Sequence, residues 1–120
     1  MLNHFNDRFI KEATMINLCP HPLIICDRGG NELIRFPRCK NPPRVNINNK
    51  EVGYINGVII NKAMFLSCKG MPPVKENTYY IVPTLIAQQY QRDDLLCPGE
   101  LIRGFKGEVL GCLSLRSFTM

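Results

Sequence analysis

The residues best suited to chemistry lie in three places. The first is "INLCPHPLII", residues 16–25, where Cys19 and His21 flank Pro20 and a second proline follows at 22. A thiol and an imidazole two positions apart can share a metal or form a nucleophile–base couple. However, zinc sites draw on paired ligands at recognisable spacings, and none accompany these two. The second place is "RDDLL", with adjacent carboxylates at Asp93 and Asp94. Neighbouring side chains usually diverge, so this pair braces a loop or an arginine more readily than it shares a proton. The third is a set of arginines at element boundaries and in loops: Arg38, Arg44, Arg92 and Arg103. A guanidinium fork matches phosphate through paired hydrogen bonds. Tyr79, Tyr80, Tyr90 and Phe105 add rings on which a base could stack.

Those types point to recognition of a phosphorylated, ring-bearing small molecule more than to catalysis. The expected ligand-binding set is Arg38, Arg44, Tyr80, Arg92, Asp93, Arg103 and Phe105, with Asp93 holding one arginine in place. No catalytic set, metal or cofactor is expected. There is no P-loop and no G-x-S-x-G, and "DRGG" and "RGFKG" lack dinucleotide-binding spacing. The only histidines are His4 and His21. Pro20 and Pro22 restrict the backbone on both sides of His21. Its ring is therefore expected to bond a neighbouring strand's backbone and fix a strand crossing; the competing reading is a ligand contact.

The elements that must position these residues are mostly strands. "NHFNDRFIKEA" reads as a short amphipathic helix, with Phe5, Phe9 and Ala13 on one face. Residues 1–14 are thus expected as a helical extension ahead of one domain over 15–120. "MINL" and "LIIC" are apolar strands on either side of the prolines. "DRGGNE" turns the chain into "LIRF" as a hairpin. "RVNIN" alternates, "NNKE" reads as a turn, and "VGYINGVIINKAMFL" holds one or two strands, with Gly53 or Gly57 at a bulge or bend. "SCKGMPPVKENT" is expected as a surface loop and "YYIVP" as a buried strand. Thr84 is expected to cap the helix "LIAQQYQR". "DDLLCPGE" reads as a loop, and "LIRGF" with "EVLGCLSL" as a last hairpin across "KG". The expected fold class is α+β: one β-rich domain of antiparallel strands and hairpins, one short internal helix and the N-terminal extension.

Bulk properties narrow the classes. At 120 residues the chain can bury a core without staples. No apolar run approaches the ~18–20 residues that span a bilayer. Asp7 and Glu12 interrupt the N-terminus, which lacks the apolar stretch of a signal peptide. A cytoplasmic location without membrane association is expected, and the six cysteines are expected as reduced, mostly buried thiols. The net charge of +5 favours an anionic partner. The basic residues are spread out, with no Lys/Arg block, which disfavours nucleic acid as that partner.

Several blocks carry a resemblance. "INLCPHPLII", the glycine turn "DRGG", "NPPRV", "TYYIVPTLIA", "RDDLLCPGELIR" and a final "GC" occur in the order seen in small phage and prophage proteins that open on "NLTPHP". The resemblance spans Met15 to about Leu115. The usual threonine before Pro-His is Cys19 here, so no role carries over to that side chain. This group resembles the phage anti-Thoeris sponge proteins. Those capture cyclic ADP-ribose isomers made by bacterial TIR immune enzymes without cleaving them, and some also hold cyclic oligonucleotides. The resemblance implies a non-enzymatic, phage-encoded binding protein in the host cytoplasm. Its partner would be a nucleotide signal. A closed pocket is most easily built between protomers of a small β-rich chain, so a homo-oligomer is expected. The competing readings are a small nucleotide-acting enzyme using His21 and Asp93, and an interaction module that blocks a host protein or nucleic acid.

Overall fold

The computed structural model describes residues 12–120. The expected N-terminal helix lies outside them up to residue 11. Glu12 and Ala13 have no regular structure, and Thr14 opens the first strand. The chain forms two compact units, one ending at Pro42 and resuming at Pro73, the other spanning Pro43–Pro72.

The first unit contains two four-stranded sheets. One is built from β1 (Thr14–Asn17), β6 (Thr78–Ile81), β7 (Leu95–Pro98) and β10 (Leu115–Arg116), in that spatial order. The other runs β3 (Glu32–Phe36), β2 (Leu23–Cys26), β9 (Val109–Cys112), β8 (Leu101–Arg103). The expectation of antiparallel strands throughout is corrected here. β1 pairs with β6 in parallel, β6 with β7 in parallel, and β2 with β9 in parallel. For β6 and β7 the physical cause is their connection. Parallel neighbours need a crossover, and the helix α1 (Thr84–Tyr90) supplies it, burying Ile86 and Ala87. Reading "LLCP" as loop hid this arrangement. Those residues are β7, with Leu95 and Cys97 fully buried.

Both sheets contribute to one core. Cys19, Leu23, Ile81 and Cys112 form its centre, with Ile25, Phe36 and Leu115 packed against them. All six cysteines are free thiols; Cys19, Cys26, Cys97 and Cys112 are buried. Small, weakly polar thiols suit a place where two sheets approach closely. The two hairpins of this unit match expectation. In the turn between β2 and β3, Asp27 accepts from the Gly29 and Asn31 amides and Gly30 has φ 85°. β8 and β9 are joined by a turn that places Gly107 at φ 81°.

The second unit is a two-stranded antiparallel ribbon, β4 (Arg44–Ile55) with β5 (Val58–Lys69). "NNKE" is strand here, and the reversal falls at Asn56-Gly57, with φ of 51° and 79°. Asn-Gly accepts the paired positive φ values of a type I′ hairpin turn, whereas polar "NNKE" only alternates between the two faces of a solvated strand. A register shift lies beside Gly53, so Gly53 marks the bulge and Gly57 the turn. "SCK" extends β5 and is not loop.

Candidate functional site

The crossing at "NLCPHP" is fixed by a residue that sequence reasoning passed over. The buried Asn17 side chain donates to the carbonyls of His21 and Pro37, each at 3.0 Å, and accepts from the Cys19 amide at 3.0 Å. Three backbone groups without other strand partners are satisfied by one amide. The Cys39 amide bonds the Cys19 carbonyl and ties the proline loop to the same place. The only available signal was an Asn at the end of an apolar strand facing the core, where a polar side chain must find partners.

His21 is therefore not the brace it was expected to be. It is exposed, and its Nδ1 lies 3.0 Å from the carbonyl of the adjacent Pro22. A carbonyl only accepts, so Nδ1 is the donor in this contact and Nε2 is left outside it.

His21 lines a cleft of about 690 Å³ in the first unit. Its lining is largely apolar: Pro22, Leu23 and Ile24 at β2, Val109 and Leu110 on β9, and Leu101 on β8. Thr84, at the first turn of α1, and Arg116, on β10, join His21 as its side-chain polar groups. Thr84 is not the helix cap. Pro83 occupies that position without a side-chain bond, and the amides of Ile86 and Ala87 bond the Pro83 carbonyl. Gly99 and Gly111 form part of the lining and are close-approach positions. A Cβ on Gly111 would stand 2.8 Å from the Ile24 carbonyl, and one on Gly99 would stand 3.0 Å from the Ser114 carbonyl. Both strand contacts that shape the cleft thus depend on a missing side chain. Its volume is in the usual range for small-molecule sites, as is the pattern of apolar walls with a few polar groups.

The expected ligand residues have different settings. Arg92 is clamped by Asp94, with Nε 2.9 Å from Oδ1 and Nη2 2.6 Å from Oδ2. That bidentate pair raises the guanidinium's pKa, and Tyr80 and Tyr90 lie near enough to add to the effect. Asp94, which is buried, is one carboxylate that holds Arg92; Asp93 is exposed on the same turn and is itself engaged. Tyr80 is buried in β6; its amide bonds the Asp94 carbonyl and its hydroxyl reaches the Pro73 carbonyl at 3.5 Å. Arg103 donates to the Gly107 carbonyl at 2.8 Å. It lines an open depression at the β8–β9 turn together with Phe105, whose side chain is fully exposed. Arg38 is exposed in the proline loop, and Arg44 belongs to the ribbon. The structure therefore groups Arg92 with Tyr80 and Asp94, and Arg103 with Phe105. None of the seven lines the cleft. Arg116, which does, pairs through its backbone in β10, and its guanidinium has no hydrogen-bond or ion-pair partner among the described residues. Its position near the chain's end, outside any turn signal, left nothing in the sequence to single it out.

Comparison of the chain with protein-family models, curated proteins and solved structures finds no match.

Proposed function

We propose that this protein is a binding protein that holds a small phosphorylated ligand in the His21–Arg116 cleft and releases it chemically unchanged. The observation that carries the reading is an uncommitted guanidinium on the rim of an apolar cleft large enough for a nucleotide. Arg116 would take a phosphate through its fork. Leu101, Val109 and Leu110 would cover a ring system, and His21 Nε2 and Thr84 would supply polar contacts. The ligand class is the one the phage-protein resemblance implies, a cyclic nucleotide signal such as a cyclic ADP-ribose isomer or a cyclic oligonucleotide. Sequestration of such a signal would counteract a bacterial defence. It requires tight binding; nanomolar affinity corresponds to about −12 kcal/mol. A second protomer covering the cleft would exclude water from the ligand, so we propose a homo-oligomer.

One observation favours a second reading, that of a small enzyme acting on the same ligand class. His21 sits on the cleft with Nδ1 engaged by the Pro22 carbonyl, which leaves Nε2 for proton transfer. Titration calorimetry with cyclic ADP-ribose isomers and cyclic oligonucleotides, followed by heat release and mass spectrometry, separates the two. Intact ligand in stoichiometric yield supports binding alone, whereas product supports the enzyme. Arg116→Ala is expected to weaken binding by roughly ten- to a hundred-fold, with Arg116→Lys recovering only part. Absence of binding to both ligand classes, or an Arg116→Ala variant that binds like the parent, overturns the proposal.

A further inference from the structure

The ribbon unit sorts its charges in a way the linear sequence hides. Pro43–Pro72 contains four cationic residues, Arg44, Lys50, Lys62 and Lys69, and one acid, Glu51. In the strand register Arg44 stands opposite Lys69, and Lys50 opposite Lys62. Directly opposed residues share a face, and every second rung returns to it. β4 is paired at every position from Arg44 to Glu51, so from Arg44–Lys69 its same face continues through Asn46–Ser67 and Asn48–Met64 to Lys50–Lys62; the register shift between Asn46 and Ile47 falls on β5, where Leu66 is the extra residue and restores the alternation. All four cations therefore lie on one face, and Glu51, paired with Asn61, lies on the other. There Glu51 bonds the Tyr54 hydroxyl and raises that phenol's pKa, which keeps the lone carboxylate engaged away from the cations.

Like charges directly opposite one another destabilise a strand pair. Here that happens twice, on a ribbon that pairs with no third strand among the described residues. The arrangement contributes nothing to the free ribbon's pairing and is complemented by an anion laid on that face. The two cationic rungs are six positions apart on β4, or about 20 Å at strand rise. A duplex major groove is about 12 Å wide and admits a two-stranded ribbon. Rungs about 20 Å apart reach the phosphates on both of its walls. Between them, on the same face, lie Asn46, Ser67 and Asn48, whose amides and hydroxyl can donate to and accept from base edges. Asn46 Nδ2 and Ser67 Oγ already bond each other at 3.0 Å, which presets that rung.

We infer that the β4–β5 ribbon is a DNA-binding arm whose basic face enters the major groove of duplex DNA. Arg44, Lys69, Lys50 and Lys62 contact phosphate, and Asn46, Asn48 and Ser67 face the bases. Duplex RNA is not the fitting partner, because its major groove is too deep and narrow for side chains to read. This function is separate from the cleft, and each can fail without the other.

The test is fluorescence anisotropy with the full chain and a labelled ~20-base-pair DNA duplex, titrated at several salt concentrations. Four phosphate contacts predict a log–log salt slope of about −3.6. Lys50→Ala with Lys62→Ala should reduce the slope by about 1.8 and weaken binding at least tenfold at low salt. Lys50→Glu turns a repulsive rung into an attractive one. It should abolish binding while leaving the melting temperature equal or higher, so that loss of binding is not loss of fold. Asn46→Ala with Asn48→Ala should leave the slope unchanged and flatten differences among duplex sequences. No binding at low salt, lysine variants that bind like the parent, or tighter binding to duplex RNA, single-stranded DNA or anionic phosphatidylserine vesicles than to duplex DNA would each overturn the inference.

Discussion

The two units solve opposite problems. The sheet-rich unit buries Ile81, Val82, Ile86, Leu95 and three cysteines almost completely and must satisfy each polar group taken inside with them. The ribbon keeps most of its side chains in water and is held mainly by its own ladder and turn. In the first unit a single polar residue such as Asn17 is structural because it has no alternative partner in the core. In the ribbon the polar and charged residues do not hold the fold, and their arrangement is free to serve something else. A substitution is therefore expected to read out as stability in one unit and as binding in the other.

The largest contrast is at Asn17. Asn17→Ala removes three hydrogen bonds to the backbone at the crossing and should cost about 3 kcal/mol in chemical denaturation. His21→Ala, four residues on, should change stability by less than about 0.5 kcal/mol. Equal effects would show that the crossing is braced through the imidazole after all.

Alkaline pH tests the core next. Burial, reinforced by the nearby Cys97 and Cys39 thiols, pushes the Cys19 pKa up from 9.0 to about 11. The raised value means the folded state holds its proton more firmly than the unfolded chain does. The associated stability is complete below pH 9 and is lost as pH rises to about 11, at ~1.4 kcal/mol per unit. A Cys19→Ala variant should lose this slope between pH 9 and 11, and an unchanged slope would assign it to another group.

A smaller effect is expected at the Arg92–Asp94 clamp. Asp94→Asn keeps the shape but replaces a charge-assisted fork with a neutral contact in a half-buried setting, for a loss of about 1–2 kcal/mol. Asp93→Asn, on the same turn, serves as the comparison in thermal melts and should cost less, because its interactions are made in water and are screened there.

The smallest stability effect belongs to the ribbon. Lys62→Ala relieves the opposed Lys50 and should leave stability within about 0.5 kcal/mol of the parent, or slightly above it. A loss of more than 1 kcal/mol would mean that the ribbon's cations are structural, which would erase the distinction between the units.

Local chemistry was legible where it is self-contained. "DRGG" reads as a hairpin turn because Asp27 and Gly30 complete it within five residues, and "KG" does the same between β8 and β9. The buried strand "YYIVP" and the helix after it are visible from apolar pattern alone. "NNKE" was misread because a polar run looks like a turn unless the stronger Asn56-Gly57 signal is weighed against it. "LLCP" was misread because four residues between a helix and a Pro-Gly are too few for periodicity to register. On the candidate site, of the arginines chosen for sitting at element boundaries and in loops, Arg92 is engaged with Asp94, Arg103 with Gly107, Arg44 lies on the ribbon and Arg38 is exposed in the proline loop.

By itself the sequence determined the β-rich class, the position of the internal helix, the two tight hairpins of the first unit and the chain's excess of positive charge. Each follows from residues within a few positions of one another, or from composition. Only the tertiary structure decided the parallel pairing of β1, β6 and β7, the role of Asn17, the meeting of His21 with Arg116 and the sorting of four cations onto one face. Those outcomes depend on pairing between segments tens of residues apart. Strand register brings together side chains whose separation along the chain carries no trace of their proximity.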